Sequence, residues 1–562
     1  LVRSRGLGDV YKRQVAACLM LAGCYDDRNG HDYDTVMPDV EMTIPETAYS
    51  AGIGSVISIT PDVKTSIPET DLQYKWEVRG EMFNEHGREA FLPLVSAEEQ
   101  GKELRYTCHL DTNITALNKS YTCRLHAKQL STGRNFYSTN TFTITIAGIT
   151  GLLVLHGDDA SSDIGILEAE EFTPSANSLP ASPSAVTDMY SKTNGGRKLQ
   201  GKGETVVQSI SSNLYNDETK KRCRIYAKTV REVALLNKDD FSYYGDWNSL
   251  FYLSGDRQEH KGQPEGYIIA EQDVFAFDGG IVFWMQQSNQ YPFLFPTLGE
   301  NDACADGNCF TYAPQFEEVA TSGIQKLMYA TTVNGQTRKG FLGITQTYSF
   351  NPKYVKLLDT KADNVKFNPG DMKADLVVMR TDNREHVRAV LKGEADHPTA
   401  AGQFFAVDLW PNAPAKGESA YVDVPQYFYA LENTLTGFSD AIAFEFGESK
   451  NMCYYATRDA VYHYGLDGSE VSPFGQLGKT DGAVLDFGSE ITLMKLLASP
   501  NVTTRNDKPV LLVATWASGK SALWALHLDI MTGKVLKAVK YDETNVDGWA
   551  FGRIADVNIK GL

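Results

Sequence analysis

Between residue 38 and residue 147 apolar and polar side chains alternate with a period of two, interrupted by Gly, Pro and Asp-Thr turns. Alternation of this kind puts every second side chain on one face of an extended strand, the pattern of half-buried antiparallel strands. Segments 54–60, 72–78, 104–110, 121–127 and 140–146 each carry one apolar face, which predicts a small β-sandwich over 38–147. From 148 to 562 the texture changes to strand pairs recurring at roughly 40 to 65 residues, a spacing compatible with propeller blades. The clearest unit is Met452-Cys-Tyr-Tyr-Ala-Thr457, a two-residue turn, then Ala460-Val-Tyr-His-Tyr-Gly465. Similar units lie at 151–155, 273–284, 374–379, 509–516 and 521–529. The predicted fold is all-β, a sandwich followed by a β-propeller-like domain of six to eight blades. A pair of further sandwiches is the competing reading.

The N-terminus suggests an address. Residues 15–23 are apolar but far short of the roughly 20 needed to span a bilayer core, which fits the hydrophobic region of a secretory signal. Leu21-Ala22-Gly23-Cys24 resembles a bacterial lipobox, which implies a diacylglycerol on the Cys24 thiol and makes 15–24 the end of a lipoprotein signal. Residues 25–37 follow as an acidic tether too polar to pack a core. Residues 1–14 lack an initiator Met and resemble translated sequencing adaptor, so they are set aside from fold reasoning. Asp34-Thr35-Val36 also fits a short O-glycosylation acceptor.

Trp76 in a middle strand and the Tyr121-x-Cys123 strand before a Thr132-Gly133 hairpin resemble immunoglobulin-like sandwiches. More narrowly, Tyr74-Lys75-Trp76-Glu77-Val78 resembles the PKD-like domain of a bacterial lipoprotein family, although true PKD repeats continue differently after the Trp. Lipobox, acidic leader, PKD-like domain and propeller-like region together resemble the PKD-like family lipoproteins of Bacteroidota. That resemblance implies an outer-membrane lipoprotein facing the exterior. It would be a non-catalytic accessory of a TonB-dependent transporter and its lid lipoprotein, binding a glycan or peptide nutrient. The rival is a propeller enzyme, a glycoside hydrolase or lyase acting on a surface polysaccharide.

Composition bears on partners and chemistry. The 562 residues carry 53 Lys and Arg against 71 Asp and Glu, a net charge of −18, which argues against a nucleic-acid partner. Eight cysteines are too few for a disulfide scaffold, though Cys304 with Cys309, and Cys108 with Cys123, are candidate pairs in an oxidising compartment. No His-Glu-x-x-His or Gly-x-Ser-x-Gly occurs, so no catalytic residue, metal or cofactor is nominated. The stretch from Ala514 to Ser521 fits a permissive phosphate-loop pattern, but alternating residues follow it, so it predicts a hairpin. Asp158, Asp159 and Asp163 could be paired carboxylates, yet acidic turn residues are commoner. Three aromatic runs remain: Phe241-Ser-Tyr243-Tyr244-Gly-Asp-Trp247, Tyr291-Pro-Phe293-Leu-Phe295 and Tyr427-Phe428-Tyr429. Such runs either fill inter-sheet cores or line a capture site. Tyr244 and Trp247 are the ligand-contact candidates, because Gly245-Asp246 puts them in a turn.

Overall fold

The computed structural model describes residues 40–560 except 84–88, 111–112, 115–118, 173–181, 210–223, 252–263, 270–272, 279–280, 287–294, 297–309, 319–323, 334–335, 346–353, 361–366, 383–385, 410, 413–420, 423–426, 432–434, 448–451, 466–474, 498–508 and 530–531. The described chain is all-β, as the alternation predicts. Its only α-helix among the described residues is the short Met189–Thr193, beside a few 3-10 turns. No helix among them is long and apolar enough to cross a membrane.

In the N-terminal unit, strands Ala48–Gly52, Phe142–Ala147, Ser120–Gln129, Leu72–Phe83 and Glu89–Pro93 form one sheet in that spatial order. Two short ladders, Val40–Thr43 with Asp62–Thr65 and Val56–Ile59 with Leu104–Thr107, complete the unit. Period-two patterning is explicit in Ser120–Gln129, where Tyr121, Cys123, Leu125, Ala127 and Gln129 point inward. Trp76 anchors this core. It is fully buried, meets Phe142 edge-on at 5.8 Å and donates its indole N–H to the Gly101 carbonyl at 3.0 Å. Such a ring needs a partner for its one polar atom when removed from water.

Among the described residues, 151–560 contain one five-stranded and six four-stranded antiparallel sheets, besides a small three-stranded one. Chain order gives Gly203–Asp246 as the second, Pro264–Pro296 the third, Phe310–Leu357 the fourth, Ala374–Ala430 the fifth, Ala443–Gln476 the sixth and Glu490–Tyr541 the seventh. The first is composite. Gly151–Gly157, Ser161–Glu168 and Ser184–Val186 are joined by the last strand of the chain, Arg553–Lys560. The first strands of successive sheets touch from the third to the seventh. Arg553–Lys560 then touches the first strands of both the seventh and the second. Successive meander sheets thus contact one another in chain order, and the last strand of the chain links the seventh to the second.

Buried side chains fill the gaps between sheets. Leu152, Val154 and Val557 of the first pack on Leu512, Ala514 and Leu523 of the seventh. Polar clasps cross the same seam. Asp556 accepts from Lys495 Nζ of the seventh sheet (2.8 Å) and from the Val206 amide of the second (2.8 Å), so one carboxylate ties three neighbouring sheets. Glu490 of the seventh pairs with Arg553 of the first (3.1 Å) and with Arg458, in a turn of the sixth.

The sandwich is docked against these sheets. Its core continues through Ile149, Met189 and Tyr190 into Leu153, Leu155, Val206 and Leu236 of the first two sheets. The Met189 sulfur lies 3.6 Å from where a Cβ on Gly54 would stand.

At the outer side of the seam Glu171 receives hydrogen bonds from His527, Lys537 (3.3 Å) and Tyr541. Burial raises the Glu171 carboxyl, but the bonds from His527, Tyr541 and Lys537 outweigh it and hold the group at about 2, against an ordinary 4.5. A folded pKa below the unfolded one gives stability that is complete above pH 4.5 and is lost as pH falls towards 2. Between pH 7 and pH 3 this group alone should cost at most about 2 kcal/mol. Glu171→Gln should therefore shrink the difference between urea midpoints at those two pH values. An unchanged difference would show that the clasp does not couple to folding.

Candidate functional site

Tyr243–Asp246 is the outermost strand of the second sheet and pairs with Val233–Asn237. Its register runs Leu235 opposite Gly245 and then Leu236 opposite Tyr243, so Tyr244 is the extra residue of a β-bulge. A regular strand would turn one of two successive side chains inward, whereas the bulge leaves both Tyr243 and Tyr244 exposed, at 36% and 56%. Gly245 is required beside them. A Cβ there would stand 2.3 Å from the Ser249 hydroxyl.

Each exposed ring carries a guanidinium. Arg197 stacks over Tyr243 at 4.2 Å from the ring centroid, and Arg224 over Tyr244 at 4.0 Å. Arg197 is aimed by Glu232 (3.1 Å), which also accepts from the Gln200 amide. Asn194 fixes the strand by accepting from the Tyr243 amide (2.8 Å) while donating to the Phe241 carbonyl (2.9 Å). Two partly exposed aromatic planes, each braced by a cation on one face, form a ready-made stacking edge.

Trp247 does not join this edge, contrary to the expectation from its turn. Asp246 accepts from the Ser249 amide and starts the 3-10 turn Trp247–Leu250, which swings the indole inward. Trp247 is 4% exposed, donates to Asp278 Oδ2 (3.2 Å) and packs with Leu235, Phe251 and Phe283 between the second and third sheets. Arg197 and Arg224 escape a sequence reading, since Arg197 comes from the loop before Leu199–Gln200 and Arg224 from a non-adjacent strand of the same sheet. The Tyr-Tyr-Gly run was the available sign of a bulge.

The other candidates separate. Cys108 and Cys123 are free buried thiols rather than a disulfide. Burial pushes them up to about 11 and 12. Cys123 lies opposite Val78 and Phe142 in the large sheet, while Cys108 exchanges backbone bonds with the Gly54–Ser55 turn region, so the two belong to different ladders. Cys24, Cys304 and Cys309 lie outside the described residues, as does most of the 291–295 run; Tyr427–Ala430 is the last strand of the fifth sheet.

Asp158 accepts from the Ala160 and Ser161 amides, as a turn residue does. Asp163 is buried and accepts from the Ile164 and Ser191 amides, so the two carboxylates do separate structural work. Its neighbour His156 donates Nε2–H to the Thr187 carbonyl and accepts at Nδ1 from the Gly552 amide, and burial lowers its pKa, which keeps the ring neutral. The phosphate-loop-like stretch is the hairpin Val510–Ala517 and Lys520–Leu528, with Ser518 and Gly519 both at positive φ (51° and 82°), as a type I′ turn requires. No cluster of three His, Cys, Asp or Glu suited to a metal occurs among the described residues.

No protein-family model matches the chain, and no curated protein matches it. Solved structures give distant similarity only. The N-terminal domain of Nup159 is 8% identical over 70% of this chain and 76% of its own, with a TM-score of 0.26. The extracellular domain of a candidate one-component system from B. thetaiotaomicron is 9% identical over 72% of this chain and 49% of its own, at 0.30. The eight N-terminal Ig domains of Down Syndrome Cell Adhesion Molecule are 10% identical over 89% and 59%, at 0.12. At such scores the architecture rests on the strand pairing above.

The placement of the two aromatic candidates predicts opposite behaviour. Trp247→Ala removes a packed indole and should lower urea-unfolding stability by about 3 to 5 kcal/mol. Tyr244→Ala should change it by about 0.5 kcal/mol or less. Equal effects of the two substitutions would contradict this placement.

Proposed function

We propose that this chain is a non-catalytic binding protein displayed on a bacterial outer membrane, anchored by lipid on Cys24 and serving as an accessory of a TonB-dependent uptake system. The observation that carries the binding role is the bulged edge where Tyr243 and Tyr244 stand exposed with Arg197 and Arg224 stacked on them. Large rings left in water gain by covering their free faces, and a sugar ring or a flat peptide side chain does so at low entropic cost. The address is supported by Leu21-Ala22-Gly23-Cys24 and the acidic stretch after it. The docked sandwich supports a holding role, since it would present the sheets as one rigid body at the end of the tether.

Affinity capture from native outer membranes, with the wild-type protein and Tyr244→Ala in parallel, tests this reading. The wild type should retain a glycan or peptide that the variant retains about tenfold less, one stacking contact being worth that much. Equal retention would remove the edge from the binding role. Shortened product released from the captured material would place the chain among enzymes.

A further inference from the structure

The stretch from Tyr190 to Arg231, which leads into the second sheet and supplies its first two strands, inverts the charge of the rest of the protein; extended to Asp246 the balance is eleven basic against seven acidic residues. Residues 190–231 hold ten Lys and Arg against three Asp and Glu. Taking these from the chain totals leaves 43 basic against 68 acidic residues elsewhere, so a region of net +7 sits in a remainder of net −25. The fold gathers much of this charge beside the tyrosine edge. The loop between Leu199–Gln200 and Gly203–Gln208 packs on the turn between the next two strands. The Val230 amide donates to the Lys202 carbonyl (2.9 Å), and a Cβ on Gly201 would stand 3.0 Å from Arg231 Cγ. Glu232, in that same turn, holds Arg197 against Tyr243. Lys198, Lys202 and Arg231 are exposed, and their charged groups make no ion pair among the described residues. Lys198 also helps to lower the Asp158 carboxyl, and Val230 next to Arg231 is 55% exposed.

We infer that this surface takes an acidic polysaccharide, one whose sugar rings stack on Tyr243 and Tyr244 while its carboxylates or sulfates meet Lys198, Lys202 and Arg231. The inference rests on the binding role proposed above and names the chemistry of its ligand. Charge complementarity selects an anion, because a positive field confined to one edge of a negative body both attracts and orients it. The stacking faces select rings over a simple ion. A nucleic acid is disfavoured, since its one charge per roughly 1.7 Å of duplex would run off the small basic patch onto a strongly acidic surface. The guanidinium fork of Arg231 suits carboxylate and sulfate geometry.

The test uses the full chain against three immobilised acidic polysaccharides, polygalacturonate, alginate and chondroitin sulfate, each beside an uncharged counterpart made by carboxyl reduction and desulfation. Single-stranded DNA is a fourth probe. At least one acidic polymer should bind about tenfold tighter than its uncharged form at low salt, and raising ionic strength towards 1 M should erase the difference. The triple variant Lys198→Glu/Lys202→Glu/Arg231→Glu should lose the preference while keeping the wild-type thermal transition. Equal binding of acidic and uncharged polymers overturns the inference and leaves the glycan-binding role standing. No binding to any of the six overturns both. Tighter binding to DNA than to every polysaccharide, or a preference that survives the triple variant, overturns the inference as well.

Discussion

The sheet array stands or falls on one pairing across the whole sequence. Arg553–Lys560 hydrogen-bonds to Gly151–Gly157 and supplies the innermost strand of the first sheet from the far end of the chain. Without it, the first sheet lacks the strand that touches both neighbours, and Leu152, Val154 and the facing Leu512 and Leu523 lose their cover. Asp556 concentrates this dependence at one atom pair. Its two oxygens receive the Lys495 ammonium from one side and the Val206 amide from the other. A buried carboxylate is costly unless every lone pair is used, so its value here is positional: it is satisfied only when three sheets are in register. Closure of so long a loop carries a large entropic cost, which the apolar seam between the first and seventh sheets must offset.

The same logic recurs between the fifth and sixth sheets. Arg380, Arg388 and Asp408 lie in one cross-strand row at the end of an apolar layer containing Val378, Val390 and Ala406. Arg388 donates to the Gly447 carbonyl of the sixth sheet at 2.7 Å, and Arg380 reaches Glu445 there. Apolar layers are indifferent to small slips, whereas a charged row with directed donors is not, so such rows act as register pins between blades that sequence repeats leave degenerate. The tyrosine edge depends on such fixed neighbours too: Glu232 holds Arg197 over Tyr243, and Asn194 accepts from the Tyr243 amide.

Much of the architecture is legible in the sequence because hairpins carry local signals. Met452–Ala456 with Val461–Gly465, and Val510–Ala517 with Lys520–Leu528, are hairpins whose strands and short turns are both readable from adjacent residues. The number of sheets is not legible. Outer strands such as Phe295–Pro296 and Gly475–Gln476 are two residues long and leave no period to read, and the closing strand pairs with a partner some 400 residues away. The candidate site is half legible for a related reason. The turn at Gly245-Asp246 is local and is visible, but whether Tyr244 or Trp247 faces water depends on a bulge and on Asp246 capping, and the arginines that brace the rings come from a loop and from another strand. The Cys108 and Cys123 pairing fails likewise, since inward-facing parity puts both in the core without making them neighbours across a ladder.

Hydrogen exchange on a chain lacking residues 553–562 tests the dependence on closure most directly. Amides of Gly151–Gly157 and of Glu490–Leu497 should lose protection, and Gly203–Gln208 and Tyr243–Asp246 should follow, while Leu72–Phe83 in the sandwich stays protected. Unchanged protection of the first and seventh sheets would contradict it.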